Sequence, residues 1–432
     1  MPADTSTLDA VLKDNYGPAI VSQLVDDFPM LQLFNDGDMS AFDGRNAVYP
    51  ARTNRNRGVM STAERGNLPT AGQTQQVEVR IPMRYVHGRI QLTAQAIKLS
   101  KTNEGAFVRA LQNEMDDLVD SLRMQLEFYL LHDGRGIRAL VNGTATSVTQ
   151  TVDTPGGAST TGATATHGNR YLNIGDWIAG INPATGLPRP AGTAQITNIA
   201  AGGTTITLSA SATFTDNDLI VKAYGSDAAV DVTNTEYQHP PMGVLGMIDD
   251  GTYVGVFHGV SRSSYPIVNS TVIGGVGPLS LDIIQRAIDI PSQIGSAKIK
   301  DFICHHSVAR AYATLLEADR RYTGGDLRKP DGGTTRATGG ELTFGGLPVH
   351  TYYHCPYGLF FGVDRRHLEK YEAQAGQWVD EDGAVLFRIG GAQGQDAFEA
   401  TYRWFCNYHL DRPNSCFRLD GVNSTIVIAH VV

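Results

Sequence analysis

The residues best suited to chemistry in this sequence are five histidines and an aspartate in its C-terminal half. Together they could hold the metal ion of a hydrolase: His305, His306, His350, His354, His367 and Asp364. Such centres usually carry a recognisable ligand pattern such as HExxH, and the sequence contains no HExxH. His305 and His306 are adjacent, so on a strand they would face opposite sides. We therefore expect ordinary strand-end or surface histidines, with no metal and no cofactor.

A glycine-rich turn, Gly274-Gly275-Val276-Gly277, could cradle a phosphate group. It lacks both the GxGxxG spacing and the GK[ST] ending of nucleotide-binding loops. Pro278 follows directly, and proline suits the first position of a helix. The pattern therefore predicts a helix start at this turn.

The stretch 322–340 is rich in glycine and carries arginine and lysine beside aspartate. This balance favours a solvated or interface loop over a grip on nucleic acid. No Ser–His–Asp or Cys–His arrangement can be inferred from the spacing of these residue types, and we expect no catalytic residues. The sequence therefore predicts a protein that is not an enzyme.

Composition places the chain among multidomain globular proteins. Its 432 residues suggest two to four units, and 41% hydrophobic residues suffice for sizeable cores. A net charge of −9 argues against a dedicated nucleic-acid binder. The four cysteines are widely spaced, which predicts reduced thiols. We see neither a signal peptide nor an apolar run long enough to cross a membrane.

The predicted secondary structure begins with an irregular segment over 1–44, followed by a short strand at Ala47–Ala51. From Val77 to Tyr85 apolar and polar residues alternate strictly, which predicts a strand with one buried face. Pro82 lacks an N–H group and should lie at a sheet edge. The two strands resemble the arms of a hairpin whose tip, 55–76, far exceeds the usual loop length. Such a tip is either disordered or held by something outside its own domain.

A long helix is predicted from about Asn103 to His132, where apolar residues recur at intervals of three and four. Thr102 or Asn103 can cap its start, and Gly134 can adopt the left-handed conformation after its end. At about 1.5 Å per residue such a helix is about 42 Å long. That length is unusual for a globular domain.

After Val141 the composition shifts to Thr, Gly, Ala and Ser, which predicts a flexible or loosely stranded connector. The short β runs that follow predict a small barrel or sandwich: 176–179, 194–199, 204–208 and 219–223. The remainder is α/β, with helices at 279–295 and 306–318 and a buried strand between them. Further strands are predicted in 347–363, 396–407 and 425–432.

Charge separates the hairpin from the long helix. The stretch from Arg45 to Arg89 contains eight arginines and two glutamates, a net charge of +6. The helix region from Asn103 to Asp133 contains seven acidic residues and two arginines, a net charge of −5. These are either two separately solvated faces or the two sides of a contact between copies. The second interpretation pairs four arginines with four carboxylates: Arg52, Arg55, Arg57 and Arg65 with Glu114, Asp116, Asp117 and Asp120.

The order of these parts resembles the major capsid protein of tailed bacteriophages, which has the Hong Kong 97-like fold. The resemblance includes the long hairpin, the strand and helix of "VHGRIQLTAQAIKLSKTNEGAFVRALQNEMDDLVDSLRMQLEFYLLHDGRG" and "DFICHHSVARAYATLLEADRRY". It extends to "GLPVHTYYHCPYGLFFGVD" and "AFEATYRWFCNYHLDRPNSCFRL". In the segment that ends at Asp364, Val363 separates Gly362 from Asp364, where the family has a "fGD"-like turn.

The resemblance implies an α+β fold with the parts of that family. Residues 1–44 would form the N-terminal arm, 45–92 the E-loop hairpin, and 93–142 the peripheral domain with the spine helix. Residues 143–235 would be an inserted β-rich domain, 236–364 the axial domain, and 365–432 the return strands of the peripheral and axial domains. The insert departs from the minimal family pattern.

The implied function is structural. Copies of the chain would form pentamers and hexamers of an icosahedral virion capsid, assembled in the host cytoplasm around double-stranded DNA contacted non-specifically. Expected partners are the chain itself, a separate scaffolding protein, a portal and a decoration protein, with no membrane. The hairpin lacks lysine, which excludes the covalent Lys–Asn link of one family branch.

Two alternatives remain open at this point. An encapsulin-like compartment shell shares the fold and would carry an enzyme cargo. A phage tail or adhesion protein would use the insert to bind a receptor glycan, although we find none of the repeats typical of fibrous proteins.

Overall fold

The computed structural model describes most of the chain, and its helices and strands confirm an α+β fold. The described residues are 29–37, 42–43, 46–95, 104–158, 167–201, 203–224, 234–320, 342–380, 385–388 and 397–423. The predicted N-caps Thr102 and Asn103, the loop 322–340, the strand 425–432 and most of the N-terminal arm lie outside them. No described helix combines the length and apolar character that a membrane span requires.

The chain begins with short strands and the predicted hairpin. A 3-10 helix, Pro29–Leu33, precedes β1 (Asn35–Asp36), β2 (Phe42–Asp43), β3 (Asn46–Arg52), β4 (Gln76–Pro82) and β5 (Arg84–Thr93). β3 and β4 pair antiparallel from Asn46 opposite Pro82 to Arg52 opposite Gln76. Within the described residues β4 forms an edge of the β2-β3-β4 sheet and Pro82 is its last residue, which confirms the edge prediction.

The predicted long helix is α1, Glu104–Leu131, and its 28 residues confirm both its position and its length. Leu122, Leu126 and Leu130 recur every four residues and are buried, because they form the stripe of the helix that faces the core. β5 packs directly on this helix, since a Cβ on Gly88 would lie 3.0 Å from Leu118 Cδ2. Gly134 has φ of +81°, which confirms the left-handed conformation expected after the helix.

The chain then forms a closed β-barrel with its own apolar core. Its strands are β6 (Ile137–Val141), β7 (Ala145–Asp153), β8 (Trp177–Ile181), β9 (Pro188–Ile199), β10 (Thr205–Phe214) and β11 (Leu219–Lys222). They close in the order β10-β7-β6-β11-β8-β9. Of the two predicted architectures the chain thus forms the barrel. Its first strand starts at Ile137, ahead of position 143, and pairs with the last strand, β11.

Beyond the barrel lies a mixed sheet flanked by two helices. The elements are α2 (Val244–Met247), β12 (Val256–Phe257), β13 (Val260–Ser261), β14 (Thr271–Ile273), β15 (Gly277–Pro278), α3 (Leu281–Gly295), β16 (Asp301–Cys304), α4 (His306–Arg320), β17 (Thr343–Phe344), β18 (Leu347–Thr351) and β19 (Leu359–Val363). The sheet order is β14-β23-β19-β16-β18-β17, where β23 is Phe417–Asp420. Its strands pack against α3 and α4 in a second core that includes Ile284, Phe302 and Val308.

The last strands return to the first part of the chain. They are β20 (Leu368–Trp378), β21 (Phe387–Arg388), β22 (Ala397–Leu410), β23 and β24 (Val422–Asn423). β22 lies between β20 and β5, and β1 joins the outer edge of β20. The sheet therefore combines residues from both ends of the described chain over the face of α1.

Two local predictions were wrong. Pro278 does not begin a helix: it lies in β15, paired with Asn423, and α3 starts only after Ser280. Ser280 is the N-cap, because its Oγ accepts a hydrogen bond from the Ile283 N–H at 3.2 Å. His305 and His306 do not share a strand, since β16 ends at Cys304 and His306 begins α4.

Candidate assembly surfaces

The base of the hairpin is fixed to the body of the protein. Ala47, Val79 and Ile81 are buried on its inner face. The Tyr49 hydroxyl contacts the ring of buried His409, and the Arg80 N–H donates to the His258 carbonyl at 2.9 Å. The direction in which the hairpin leaves the body is therefore set by packing.

The tip of the hairpin spans residues 53–75 in the structure, instead of the predicted 55–76, because β4 already begins at Gln76. It has neither helix nor strand and is closed by backbone contacts. The Thr53 N–H donates to the Gln75 carbonyl at 2.9 Å at the point where the strands end. Further out, a Cβ on Gly72 would lie 2.6 Å from the Gly58 nitrogen and 2.5 Å from Asn56 Oδ1. The two sides of the tip approach so closely here that glycine is required.

Most side chains of the tip are exposed, including apolar ones of the kind that is usually buried. Val59 and Leu68 are 87% and 86% exposed, and Met60 is 63% exposed. From the sequence this stretch was treated as polar, and these three apolar residues were overlooked. Apolar residues within an otherwise polar segment could have indicated a contact surface. Such exposed side chains mark an interaction surface when they occur together.

The four arginines singled out in the sequence, Arg52, Arg55, Arg57 and Arg65, are all exposed. Arg52 Nε donates to the Asn54 carbonyl at 3.4 Å, and Arg65 adopts the left-handed conformation with φ of +65°. Within the described part of the chain none of the four forms an ion pair.

The acidic residues of α1 are only partly neutralised by their own chain. Glu114, Asp116 and Asp117 are exposed, whereas Asp120 is half-buried and lies 3.2 Å from Arg123 Nη1. Among the described residues no ion pair joins the arginines of the hairpin to these carboxylates. The structure therefore does not bring the two predicted sets together within one chain.

The histidines considered as metal ligands lie in separate environments. His350 Nε2 is 3.1 Å from Asp301 Oδ1, and His367 Nδ1 is 3.4 Å from Asp411 Oδ2. Buried His305 faces Ser307 Oγ at 2.8 Å. Across the described residues no three His, Cys, Asp or Glu side chains are arranged to hold a metal ion.

His354 corrects the expectation of strand-end or surface histidines, because it is buried in a loop. Its ring packs beside those of Phe128 and Tyr171, at centroid distances of 6.0 and 5.9 Å. The four cysteines are free thiols, as the spacing predicted, and all four are also buried.

Buried arginines fix the barrel to the rest of the molecule, and sequence reasoning missed them. Arg138 Nη2 donates to Glu236 Oε2 at 2.8 Å, and its guanidinium lies 4.1 Å from the centroid of the Phe128 ring on α1. Arg170 donates to the Tyr353 carbonyl and lies 4.5 Å from the centroid of the Tyr357 ring. These contacts orient the barrel against both the long helix and the loop before β19.

This architecture is similar to that of a solved phage capsid structure, and further solved structures align with the chain at lower scores. The Cyanophage A-1(L) capsid asymmetric unit has a TM-score of 0.58 and 12% sequence identity, with 97% of this chain and 99% of that chain covered. The capsid of an empty GTA particle has a TM-score of 0.46 and 8% identity over 98% and 99% of the two chains. A Gordonia phage Cozz structure has a TM-score of 0.45 and 10% identity over 95% and 91%.

No protein-family model matches the chain, and neither does any curated protein. The resemblance predicted from the order of motifs is nevertheless confirmed as a shared fold, because the Cyanophage A-1(L) match covers nearly the whole of both chains. The chain thus has a phage capsid fold to which a closed β-barrel contributes six of the strands described.

Proposed function

We propose that this chain is a major capsid protein with a structural, non-catalytic role. Its copies form pentamers and hexamers that close into an icosahedral head around double-stranded phage DNA. The observation that carries this proposal is the match of 97% of the chain to 99% of a phage capsid subunit with a TM-score of 0.58.

The geometry of the hairpin supports assembly. Its base is packed against the body, while its tip exposes Val59, Met60 and Leu68 with no core of its own. A rigidly aimed segment of this kind is suited to contact with a neighbouring subunit. In the capsid fold it serves as the E-loop, and α1 serves as the spine helix.

The charges support a specific contact between subunits. Arg52, Arg55, Arg57 and Arg65 of one copy pair with Glu114, Asp116, Asp117 and Asp120 of another. Each arginine is exposed and forms no ion pair with a described residue of its own chain, whereas Asp120 would have to exchange Arg123 for its new partner. Arginine suits this role because its planar guanidinium can bind a carboxylate through two hydrogen bonds.

Each region of the chain corresponds to one part of a capsid subunit. Residues 1–44 form the arm, 45–92 the E-loop and 93–136 the peripheral domain with the spine helix. The inserted domain, placed at 143–235 from the sequence, begins earlier, with β6 at Ile137. Residues 236–364 form the axial domain, and 365–432 the return strands. Assembly in the host cytoplasm uses a separate scaffolding protein, a portal and a decoration protein, and the inner face contacts DNA non-specifically.

Electron microscopy of purified protein tests the proposal. We expect closed icosahedral particles when the chain is expressed alone or with a scaffolding protein encoded by the same phage. A variant in which residues 55–74 are replaced by an Asn-Gly turn tests whether the tip of the hairpin is needed for assembly. This variant should fold, because the replaced residues lie outside the cores, and it should form no closed shells. Monomers that persist with every candidate scaffold would contradict the proposed function.

A further inference from the structure

One edge of β5 has no partner among the described strands. β22 pairs with β5 from Arg84 to Thr93 and with β20 on its other side, so β5 is an outer strand of this sheet. Within the described residues Tyr85–Gly88 form no backbone hydrogen bond outside the pairing with β22. An outer strand presents N–H and C=O groups with which another extended chain can pair.

A groove follows this edge. It consists of two adjoining cavities of about 460 and 570 Å³, and Tyr85, His87, Tyr224 and His239 line both of them. The first cavity is lined by all of Tyr85–Gly88, whose side chains point alternately to the two faces of the sheet. A groove bordered by both sets runs along the edge of the strand rather than over one face.

The two faces of the strand differ in character at the groove. Val86 is buried, and Gly88 faces α1, since a Cβ on Gly88 would lie 3.0 Å from Leu118 Cδ2. Tyr85 points to the opposite face and is 58% exposed, with its ring centroid 4.9 Å from that of Phe405. A chain laid along the edge would therefore meet apolar side chains on one face and more exposed side chains on the other.

The groove carries basic side chains that their own chain leaves unpaired. Arg84, His87 and His239 line it, and none of them forms an ion pair with a described residue. Burial lowers the pKa of Arg84 and of His87, so a carboxylate brought into the groove would favour their charged forms. Glu236 also lines the groove, but its carboxylate already accepts a hydrogen bond from Arg138 at 2.8 Å.

We propose that this groove binds an extended acidic segment of a partner protein, which adds to the sheet as a strand beside β5. Its backbone pairs with Tyr85–Gly88, its apolar side chains pack towards Leu118, and its carboxylates pair with the unpaired basic groups. Charge complementarity selects an acidic partner, because Arg84, His87 and His239 are basic or become so on protonation. The inference does not depend on the proposed function, since a chain that forms no shell would still bind the segment.

A short synthetic peptide tests the binding. The probe is fluorescein-labelled Val-Glu-Val-Asp-Val-Glu-Val with blocked ends, and it should bind the full-length, unassembled chain saturably in fluorescence anisotropy. The same peptide with lysine at each acidic position should bind at least about tenfold more weakly, because its charges are reversed. N-methylation of the three central residues removes N–H groups from both edges of the peptide and should abolish binding.

Variants of the chain locate the site. Ser121→Trp, at an exposed position that lines the groove, should abolish peptide binding, and Arg84→Gln with His87→Gln should weaken it at least about tenfold. Gln285→Trp, at an exposed position on α3, is the matched control and should bind the peptide normally. Circular dichroism and the urea midpoint verify that each variant is folded.

Several outcomes would overturn the proposal. One is the absence of saturable binding, and another is binding that survives Ser121→Trp or N-methylation, since the peptide would then not be held as a strand in this groove. Displacement of the peptide by oligothymidine at lower concentration would assign the groove to nucleic acid instead. Dimers of the chain that disappear with Ser121→Trp would assign it to a second copy.

Discussion

Among single residues, Arg418 joins β23 to the loop that follows α2, and it does so from a fully buried position. Its Nη1 donates to Asp249 Oδ1 at 3.0 Å and to the Ile248 carbonyl at 2.7 Å, and its Nε donates to Asp420 Oδ1 at 2.7 Å. The other oxygen of Asp249 accepts from the Tyr253 and Val254 N–H groups. Each charge is therefore paired and hydrogen-bonded, the condition under which buried ions are tolerated.

Replacing Arg418 with methionine should lower the free energy of unfolding by about 3–5 kcal/mol, because it leaves Asp249 charged and buried without its cation. Arg80→Met is the matched control. Arg80 pairs with Glu78 at 2.9 Å, but both side chains are more than half exposed, so its replacement should lower the free energy of unfolding far less. Urea unfolding of the two variants measures the difference. Equal losses would contradict the structural role given to Arg418.

A second buried arginine, Arg262, shows why the hydrogen bonds of buried arginines could not be predicted from sequence. Arg262 donates to the backbone carbonyls of Gly246, Met247, Asp249 and Val268 at 2.8, 3.1, 2.5 and 2.6 Å. Burial lowers the pKa of Arg262 to about 10, which leaves it charged at neutral pH. Arginine is most often found at the surface, and its carbonyl partners leave no mark in side-chain patterns.

At the scale of elements, the hairpin and α1 carry opposite charges that their own chain does not pair. We expect Arg55→Glu with Arg57→Glu to prevent shell assembly, since like charges would then face each other across the contact. Asp116→Arg with Asp117→Arg should prevent it for the same reason. All four substitutions together should restore shells, and electron microscopy together with sedimentation measures each outcome.

The control for this experiment is Arg286→Glu, an exposed charge reversal on α3 that should leave assembly unchanged. None of the variants should alter the unfolding midpoint of the unassembled chain, because the substituted side chains are exposed. Normal shells from the double arginine variant would exclude the proposed pairing.

Most elements could be predicted because their periodicity is regular. The alternation in β4 and the three-to-four spacing in α1 follow directly from burial on one side. β20 was missed for a physical reason: its pairing with β22 is irregular between Glu372 and Gln374 and again between Gln374 and Gln377. Each irregularity interrupts the alternation by which a strand is recognised.

For the hairpin and α1, the sequence predicted the charges correctly but not the local contacts. Composition located the opposite charges of the hairpin and the helix, and the structure places nearly all of those side chains at the surface. Sequence could not show that Asp120 is already paired with Arg123, because such a contact depends on rotamers. Nor could it reveal that Gly58 and Gly72 meet within the tip, since that approach depends on the path of the backbone.

At the scale of the whole molecule, buried histidines make stability depend on pH. Burial lowers the pKa of His132 and His258 to about 3 and that of His305 to about 2. The unfolded chain binds protons at these histidines below about pH 6.5, while the folded chain does not. The free energy of unfolding should therefore fall as the pH drops from about 6.5 towards 3, by about 1.4 kcal/mol per pH unit for each histidine.

Urea unfolding at pH 7 and pH 5 measures this dependence. His305→Asn should reduce the loss between the two pH values, whereas His239→Gln, at an exposed position, should leave it unchanged. The same urea midpoint at both pH values would show that these rings are not held neutral by burial.

The placement of the barrel within the chain also determines the order in which the protein can fold during its synthesis. All six barrel strands lie within residues 137–222 and, among the described strands, they close on one another, so the barrel can form once this stretch has left the ribosome. The sheet around β22 must wait, since Asn35 pairs opposite Glu369 and Arg84 opposite Cys406. A nascent chain therefore carries a finished barrel while its hairpin and long helix still lack their partner strands, and it is in this interval that their apolar faces are open to aggregation.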